Sequence, residues 1–238
     1  MKIRRLSEID LARICPVPRD EKIFRLKQFK LGRPPHTYNP MRASLGDILN
    51  LQPELFPGGE YTPWSQIESD IKKRSTSDSE AKFNLAVAKA LYEFGKEQGA
   101  KSYSKPIPAW SVGYGQSVTY WWNFYSVVDE RPCFIFVDPR ISNPLTLDAR
   151  KFVLSMMNER IKVPDPDFAD SRLIVAQFTK VNEGERAIRL FEPTSAGLFS
   201  SDEINEMINE TYQLWIEVLA ERADEGRQRP AGTNPMGF

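Results

Sequence analysis

The stretch Tyr120–Arg140 reads YWWNFYSVVDERPCFIFVDPR, and its interpretation decides the fold. Two runs rich in aromatic and β-branched residues flank the turn-forming group DERP, a pattern that predicts a β-hairpin. The second run, CFIFV, is apolar at every position, yet it finishes on an acid and a base, Asp138 and Arg140. With DERP as the turn, Asn123 falls opposite Asp138 and Trp121 opposite Arg140. Side chains alternate along a strand, so Asp138 and Arg140 share a face, and Asn123 is expected to join them from the neighbouring strand.

Outward from the hairpin, helical and strand patterns alternate. Ser77 stands three residues before Glu80, the spacing of a capping box, and Phe83, Val87, Ala90, Leu91 and Phe94 follow at helical intervals up to Gly99. This predicts a helix over about 78–98. KPIPAWSVGYG is read as a strand before the hairpin, its prolines at the start or on an edge. After SNP, residues Ala149, Phe152, Val153, Met156 and Met157 mark a second helix, closed by VPDPDFAD. RLIVAQF and AIRLFEP pair across NEGE, and Ser200 with Glu203 opens a last helix carrying Ile204, Ile208, Trp215 and Val218.

The expected fold class is therefore α/β, with a mixed central sheet flanked by helices. Residues 1–75 read as a basic, loop-rich N-terminal arm broken by GRPPHTYNP and FPGGEYTP, with a short helix near Leu45–Leu51 and a helical turn or two in IESDIKKR. Residues 76–225 form the α/β domain. The tail 226–238 has too few apolar residues to pack and is expected to be flexible or bound to a partner.

Composition narrows the function classes. Of 238 residues, 41% are apolar, enough for a real core. Lys+Arg and Asp+Glu balance at 32 each, so net charge gives no argument for nucleic acid or membrane. The charge is unevenly spread, however: from Met1 to Arg42 eleven basic residues face four acidic ones. Cys15 and Cys133 are in no ligand spacing, and the lone histidine, His36, makes a histidine-based triad or metal site hard to assemble. No apolar run approaches bilayer length, and a cytoplasmic protein without a membrane span is expected.

The chemistry rests on the charged end of the hairpin. Acids on neighbouring strands hold a magnesium ion through carboxylate oxygens, and a cation two residues on offsets charge on a phosphate. A glutamate from a packed helix completes such a ligand set, and Glu80 is the candidate here. The order of elements, with RSTSDSEAKFNLAVAKAL (74–91), YWWNF (120–124) and FVDPR (136–140), resembles the core of the PD-(D/E)xK nuclease superfamily and is closest to the TnsA-type transposon endonucleases. The resemblance implies a restriction-endonuclease-like topology of helix, three strands, helix and strand. It also implies Glu80, Asn123 and Asp138 around a Mg2+ or Mn2+ ion, with Glu80, Asp138 and Arg140 as catalytic candidates. The chain departs from that pattern at Asn123, where the family has an aspartate, and at Arg140, where it has a lysine. Two formal negatives hold a hard cation less well than three, and an arginine that stays protonated serves as a clamp and not as a base.

Structural readings stand beside these. A capping box already explains Glu80, Asp138 before Pro139 suits the start of a loop, and the aromatics of YWWNFY suit two apolar layers. Two functions stay open at this point. One is a DNA-processing protein of a mobile element or defence system, a metal-dependent endonuclease subunit with a modified site. The other is a non-catalytic adaptor of the same fold that binds protein partners. Oligomeric state is left open by the sequence.

Overall fold

A computed structural model describes residues 5–29, 37–53, 58–113, 115–194 and 197–228. His36, Tyr114 and most of the expected tail lie outside the described residues. A five-stranded sheet runs in the order β1 (Lys101–Ser104), β4 (Phe124–Val128), β5 (Arg131–Asp138), β6 (Arg172–Lys180), β7 (Arg186–Phe191). β5 and β6 are parallel and the other neighbours antiparallel, so the sheet is mixed, as expected. β2 (Trp110–Gly113) and β3 (Gln116–Val118) form a separate two-stranded sheet.

The apolar run at β5 is explained by burial on both faces. Phe134 and Phe136, with Leu173 and Val175 of β6, enter one core against α7 (Leu147–Met157), α8 (Ser201–Gln228) and α1 (Glu8–Ile14). Cys133, Ile135 and Val137, with Ile174, Ala176 and Phe178, enter the other. That second core is covered by α3 (Asn39–Ala43), α4 (Leu45–Ile48), α5 (Trp64–Arg74) and α6 (Asp78–Glu97). The last turn of α7 passes into a π-helical segment at Asn158–Lys162.

Both capping signals are recovered, one in altered form. Ser200 and Glu203 exchange two bonds, Ser200 N–H to Glu203 Oε2 at 2.7 Å and Glu203 N–H to Ser200 Oγ at 3.2 Å. Ser77 Oγ accepts the N–H of Glu80 at 3.2 Å, but the Glu80 carboxylate reaches past it to Thr76.

Three local expectations differ from the structure. The hairpin turn is Asp129–Glu130 alone, both at positive φ (52° and 61°), the backbone of a two-residue type I′ turn. Val128 therefore pairs with Arg131, and Pro132 belongs to the strand, opposite Val127. Second, YWW is not part of β4. Tyr120 and Trp121 are buried ahead of it, bonded through their polar tips to the carbonyls of Glu8 (2.7 Å) and Ile107 (3.2 Å). Third, the strand before the hairpin in the main sheet is β1, and KPIPA is the connection from it to β2; prolines 106 and 108 carry no backbone donor for a ladder.

The stretch read as a loop-rich arm holds α1 to α5, including α2 (Arg19–Gln28), and its side chains reach the centre of the molecule. Leu6, Leu11, Leu26, Met41, Leu45 and Ile48 are almost wholly buried. Its basic residues are used to build. Lys22, only 2% exposed, pairs with Glu210 of α8, while Arg222 of α8 donates to the carbonyls of Leu26 (3.2 Å), Lys27 (2.6 Å) and Phe29 (2.9 Å), capping the end of α2.

Phe152 on α7 is wholly buried in the core that joins α1, α7, α8 and the sheet. Phe152→Ala should lower unfolding free energy by about 3–5 kcal/mol, read from the midpoint and slope of urea denaturation.

Candidate functional site

The side chains of the four residues singled out from sequence occupy four different environments. Asp138 closes β5 on the same face as Phe134 and Phe136 and is fully buried. The parallel register sets it level with Gln177 of β6, and Gln177 Nε2 donates to Asp138 Oδ2 at 2.9 Å. The same oxygen accepts the N–H of Leu145 at 2.8 Å, just before α7, and Oδ1 lies 3.4 Å from the N–H of Arg140. Gln177 also donates to the carbonyl of Leu145 at 3.0 Å. Arg150 Nη1 then bonds both that carbonyl (3.0 Å) and Gln177 Oε1 (3.1 Å). Asp138 is the first member of a network that fixes where α7 begins.

Glu80 is 3% exposed and meets a different pair of segments. Its Oε1 accepts the N–H (2.8 Å) and hydroxyl (2.9 Å) of Thr37, and Oε2 the N–H (2.7 Å) and hydroxyl (2.8 Å) of Thr76. Four donors favour the charged form and bring its pKa down to about 2, the N–H of Thr76 contributing most and its hydroxyl next, ahead of the two donors of Thr37. One turn on, the fully buried Asn84 accepts from Met41 N at 3.0 Å and donates to the carbonyls of Thr37 and Glu80 at 2.8 Å each. Together these two side chains fasten the entry to α3 onto α6. Asn84 was missed from the sequence, and its signal was a lone amide on the apolar face of a strong helix.

Asn123 does not join Asp138. It stands before β4, exposed, and its backbone carbonyl accepts from Lys105 N at 2.8 Å. Arg140 turns away from the strand end toward α1, where its Nη1 bonds Asp10 Oδ1 at 3.1 Å; the other oxygen of Asp10 accepts the hydroxyl of Ser7 at 2.5 Å.

This arrangement does not fit a magnesium or manganese ion. Both oxygens of Glu80 are taken by donors, Asp138 is taken by an amide and backbone N–H groups, and Asn123 lies apart. Among the described residues no group of three His, Cys, Asp or Glu side chains comes together as a metal site. The neutral amide donors that approach Asp138 would themselves have to be displaced before a cation could enter.

A separate feature, unread in the sequence, sits at the outer edge of β1. Leu51 forms a parallel bridge with Ser102, Gln52 N donates to Ser102 O at 2.8 Å, and Ser102 N to Asn50 O at 3.0 Å. Gln52, 5% exposed, then closes the loop that follows. Its Oε1 accepts Gly58 N at 2.7 Å, while its Nε2 donates to Asn50 Oδ1 at 2.9 Å and to Gly59 O at 3.4 Å. The chain thus leaves the sheet edge and returns to one buried side chain. The signal in the sequence was an amide a few residues ahead of the pair Gly58–Gly59, with PELFP between them.

These features define a mixed α/β protein whose buried acids hold segments of the chain together and in which Gln52 ties Gly58 to the edge of β1. More specifically, the chain belongs to the family of the sliding clamp-binding bacterial toxin SocB, whose model matches residues 9–225. It is similar to the DNA replication inhibitor toxin SocB of Caulobacter vibrioides (strain NA1000 / CB15N), 34% identical over 232 residues that cover 98% of this chain and 97% of that protein. No solved structure matches. This finding corrects the resemblance to the PD-(D/E)xK superfamily and to transposon endonucleases, and with it the reading as a DNA-processing nuclease of a mobile element or defence system. The short motifs that carried the resemblance are what a buried strand with a structural acid at its end also presents.

The Glu80 environment has a direct consequence for pH dependence. Its folded pKa lies below the ordinary carboxyl value of 4.5, so its stabilising contribution is complete above that pH and is lost as pH falls towards about 2. Glu80→Gln should therefore melt below the wild type at neutral pH, with the gap in Tm closing between those two values.

Proposed function

We propose that this protein binds a sliding clamp and thereby inhibits DNA replication, acting by occupation of the clamp and not by cutting DNA. The observation that carries this reading is the family match along nearly the whole chain, 9–225. The protein partner is then the clamp, DNA is met through the clamp, and the cytoplasm is where that partner works. The core formed by α6, β1, β4, β5, α7 and β6 supports a restriction-endonuclease-like arrangement used as scaffold. Glu80 and Asp138 serve that scaffold, and Arg140 serves the α1 contact; on this reading calorimetry with Mn2+ gives no binding heat, and a saturable heat abolished by Asp138→Ala would restore the metal site.

The loop closed by Gln52 is the surface on which clamp binding is best tested. Between Gln52 and Gly58 the sequence carries the consecutive pair Leu55 and Phe56, which lie outside the described residues. An aliphatic–aromatic pair is the kind of side-chain set that fills an apolar pocket on a partner. A double variant, Leu55→Ala with Phe56→Ala, should weaken binding to the sliding clamp of the same bacterium by at least about 30-fold, from about 2 kcal/mol or more of lost anchor energy. Surface plasmon resonance measures this, with unchanged circular dichroism and Tm as the folding check. Full-strength clamp binding by the double variant removes this loop as the docking element. Absence of clamp binding by the wild type removes the function itself.

A further inference from the structure

An open groove of about 430 Å3 lies between α1, α2 and the loop after β5, bordered by Arg13, Phe24, Arg25, Gln28, Phe29 and Asn143. The acids around it are already engaged. Asp10 is held by Arg140 and Ser7, Glu21 accepts Arg25 Nε at 2.8 Å, and Asp138 is bonded by Leu145 and Gln177. Arg13 is different. Among the described residues its guanidinium has no hydrogen-bond acceptor, and Nε and Nη2, the edge that matches two oxygens of one anion, are both unsatisfied.

Those two nitrogens are covered by protein, but the side chain as a whole is only half-buried and forms part of the groove wall. For the fork to meet a ligand in the groove, the guanidinium has to turn toward the opening. Burial holds the Arg13 pKa below its ordinary value and the charge of Arg140 lowers it further, while Asp138 and Asp10 offset part of this. A cation held beside a second cation, near acids that are already bonded elsewhere, is a group short of an anion. The remaining wall suits more than a bare ion. Gln28 and Asn143 bring amide donors, and the Phe24 ring is 56% exposed.

We propose that this groove binds a phosphoryl group, with the Arg13 fork as its anchor, Asn143 and Gln28 as further donors, and the Phe24 ring as a face for an attached base. The ligand is then a nucleotide, either free or as part of a DNA backbone. A carboxylate would use the fork but leave the exposed aromatic face without a role; base stacking on an aromatic ring supplies one. The net charge of zero makes such binding local to the groove, independent of any general attraction to nucleic acid. The proposal does not depend on the clamp reading, since neither the loop closed by Gln52 nor its apolar pair takes part.

The test uses the full chain and thermal melts in millimolar inorganic phosphate, with chloride at matched ionic strength as the reference. Phosphate should raise Tm by about 2–4 °C over chloride, and AMP by at least as much. Arg13→Gln should abolish the rise. Asn143→Asp should do the same by placing a negative charge in the groove, and aspartate tolerates the positive φ of 57° at this position. A single-stranded oligonucleotide that competes with AMP assigns the phosphate to a DNA backbone; AMP binding without such competition assigns a free nucleotide, and either result supports the site. No rise over chloride, an equal rise in both variants, or a larger rise with succinate than with phosphate overturns it, the last by giving the groove to an acidic side chain of a protein.

Discussion

The buried carboxylate of Asp138 is the constraint on which the rest of the structure depends. The parallel pair β5 and β6 has to be joined by a crossover, and the chain must leave β5 from within the core and restart as α7 above the sheet. Leaving the core strips the backbone of ladder partners. Asp138 supplies one, accepting the N–H of Leu145 at the point where α7 is about to start, while Gln177 from the next strand satisfies the carbonyl of the same residue. The carboxylate itself is stabilised by the donors it organises, which is how an acid at 0% exposure is retained in a core.

Glu80 solves the same problem for the other layer. The segment near Thr37 must approach α6 to bring Met41, Leu45 and Ile48 onto the sheet, and it does so without regular structure of its own at that point. A carboxylate with two oxygens can hold two chains at once, and Glu80 holds Thr37 with one and Thr76 with the other. Asn84 repeats the device with an amide one turn later. The N-terminal helices are therefore a structural layer of the molecule, and several of the basic residues concentrated there pair with α8, Arg19 and Lys22 with Glu210 and Lys27 with Glu221.

How much of this was legible follows from what each signal encodes. Periodicity and caps report local preferences, so α6, α7, α8, β5, β6 and β7 were read nearly to their ends. In the N-terminal layer the short helix at Leu45 and the helix through IESDIKKR were anticipated, whereas α1 and α2 were missed because they are short, seven and ten residues, and the apolar face of α2 is interrupted by charges that pair with α8. The hairpin was correct as a hairpin but misregistered, since Asp129 and Glu130 adopt positive φ without the glycine or asparagine that usually announces a type I′ turn. That shift in register, with YWW outside β4, is what removed Asn123 from Asp138. At the candidate site, Glu80 and Asp138 were picked from sequence as metal-binding and catalytic acids, while the partners they meet, Thr37, Thr76, Leu145 and Gln177, come from segments that no local pattern connects.

The degeneracy behind the nuclease resemblance is physical. A strand buried on both faces can end in an acid only if something meets the charge, and a sequence shows the acid without showing what meets it. A metal ion meets it with positive charge and needs several anionic oxygens turned to one point. Backbone and amide N–H groups meet it with dipoles and need each oxygen turned to a different segment of chain. The two solutions therefore differ in how the acids are arranged relative to one another, which is a property of tertiary structure. Here Glu80 and Asp138 each face their own set of donors, so the acids divide the work of joining segments where a metal site would have gathered them. A fold arranged in this way keeps both buried acids in contacts that join segments of its own chain.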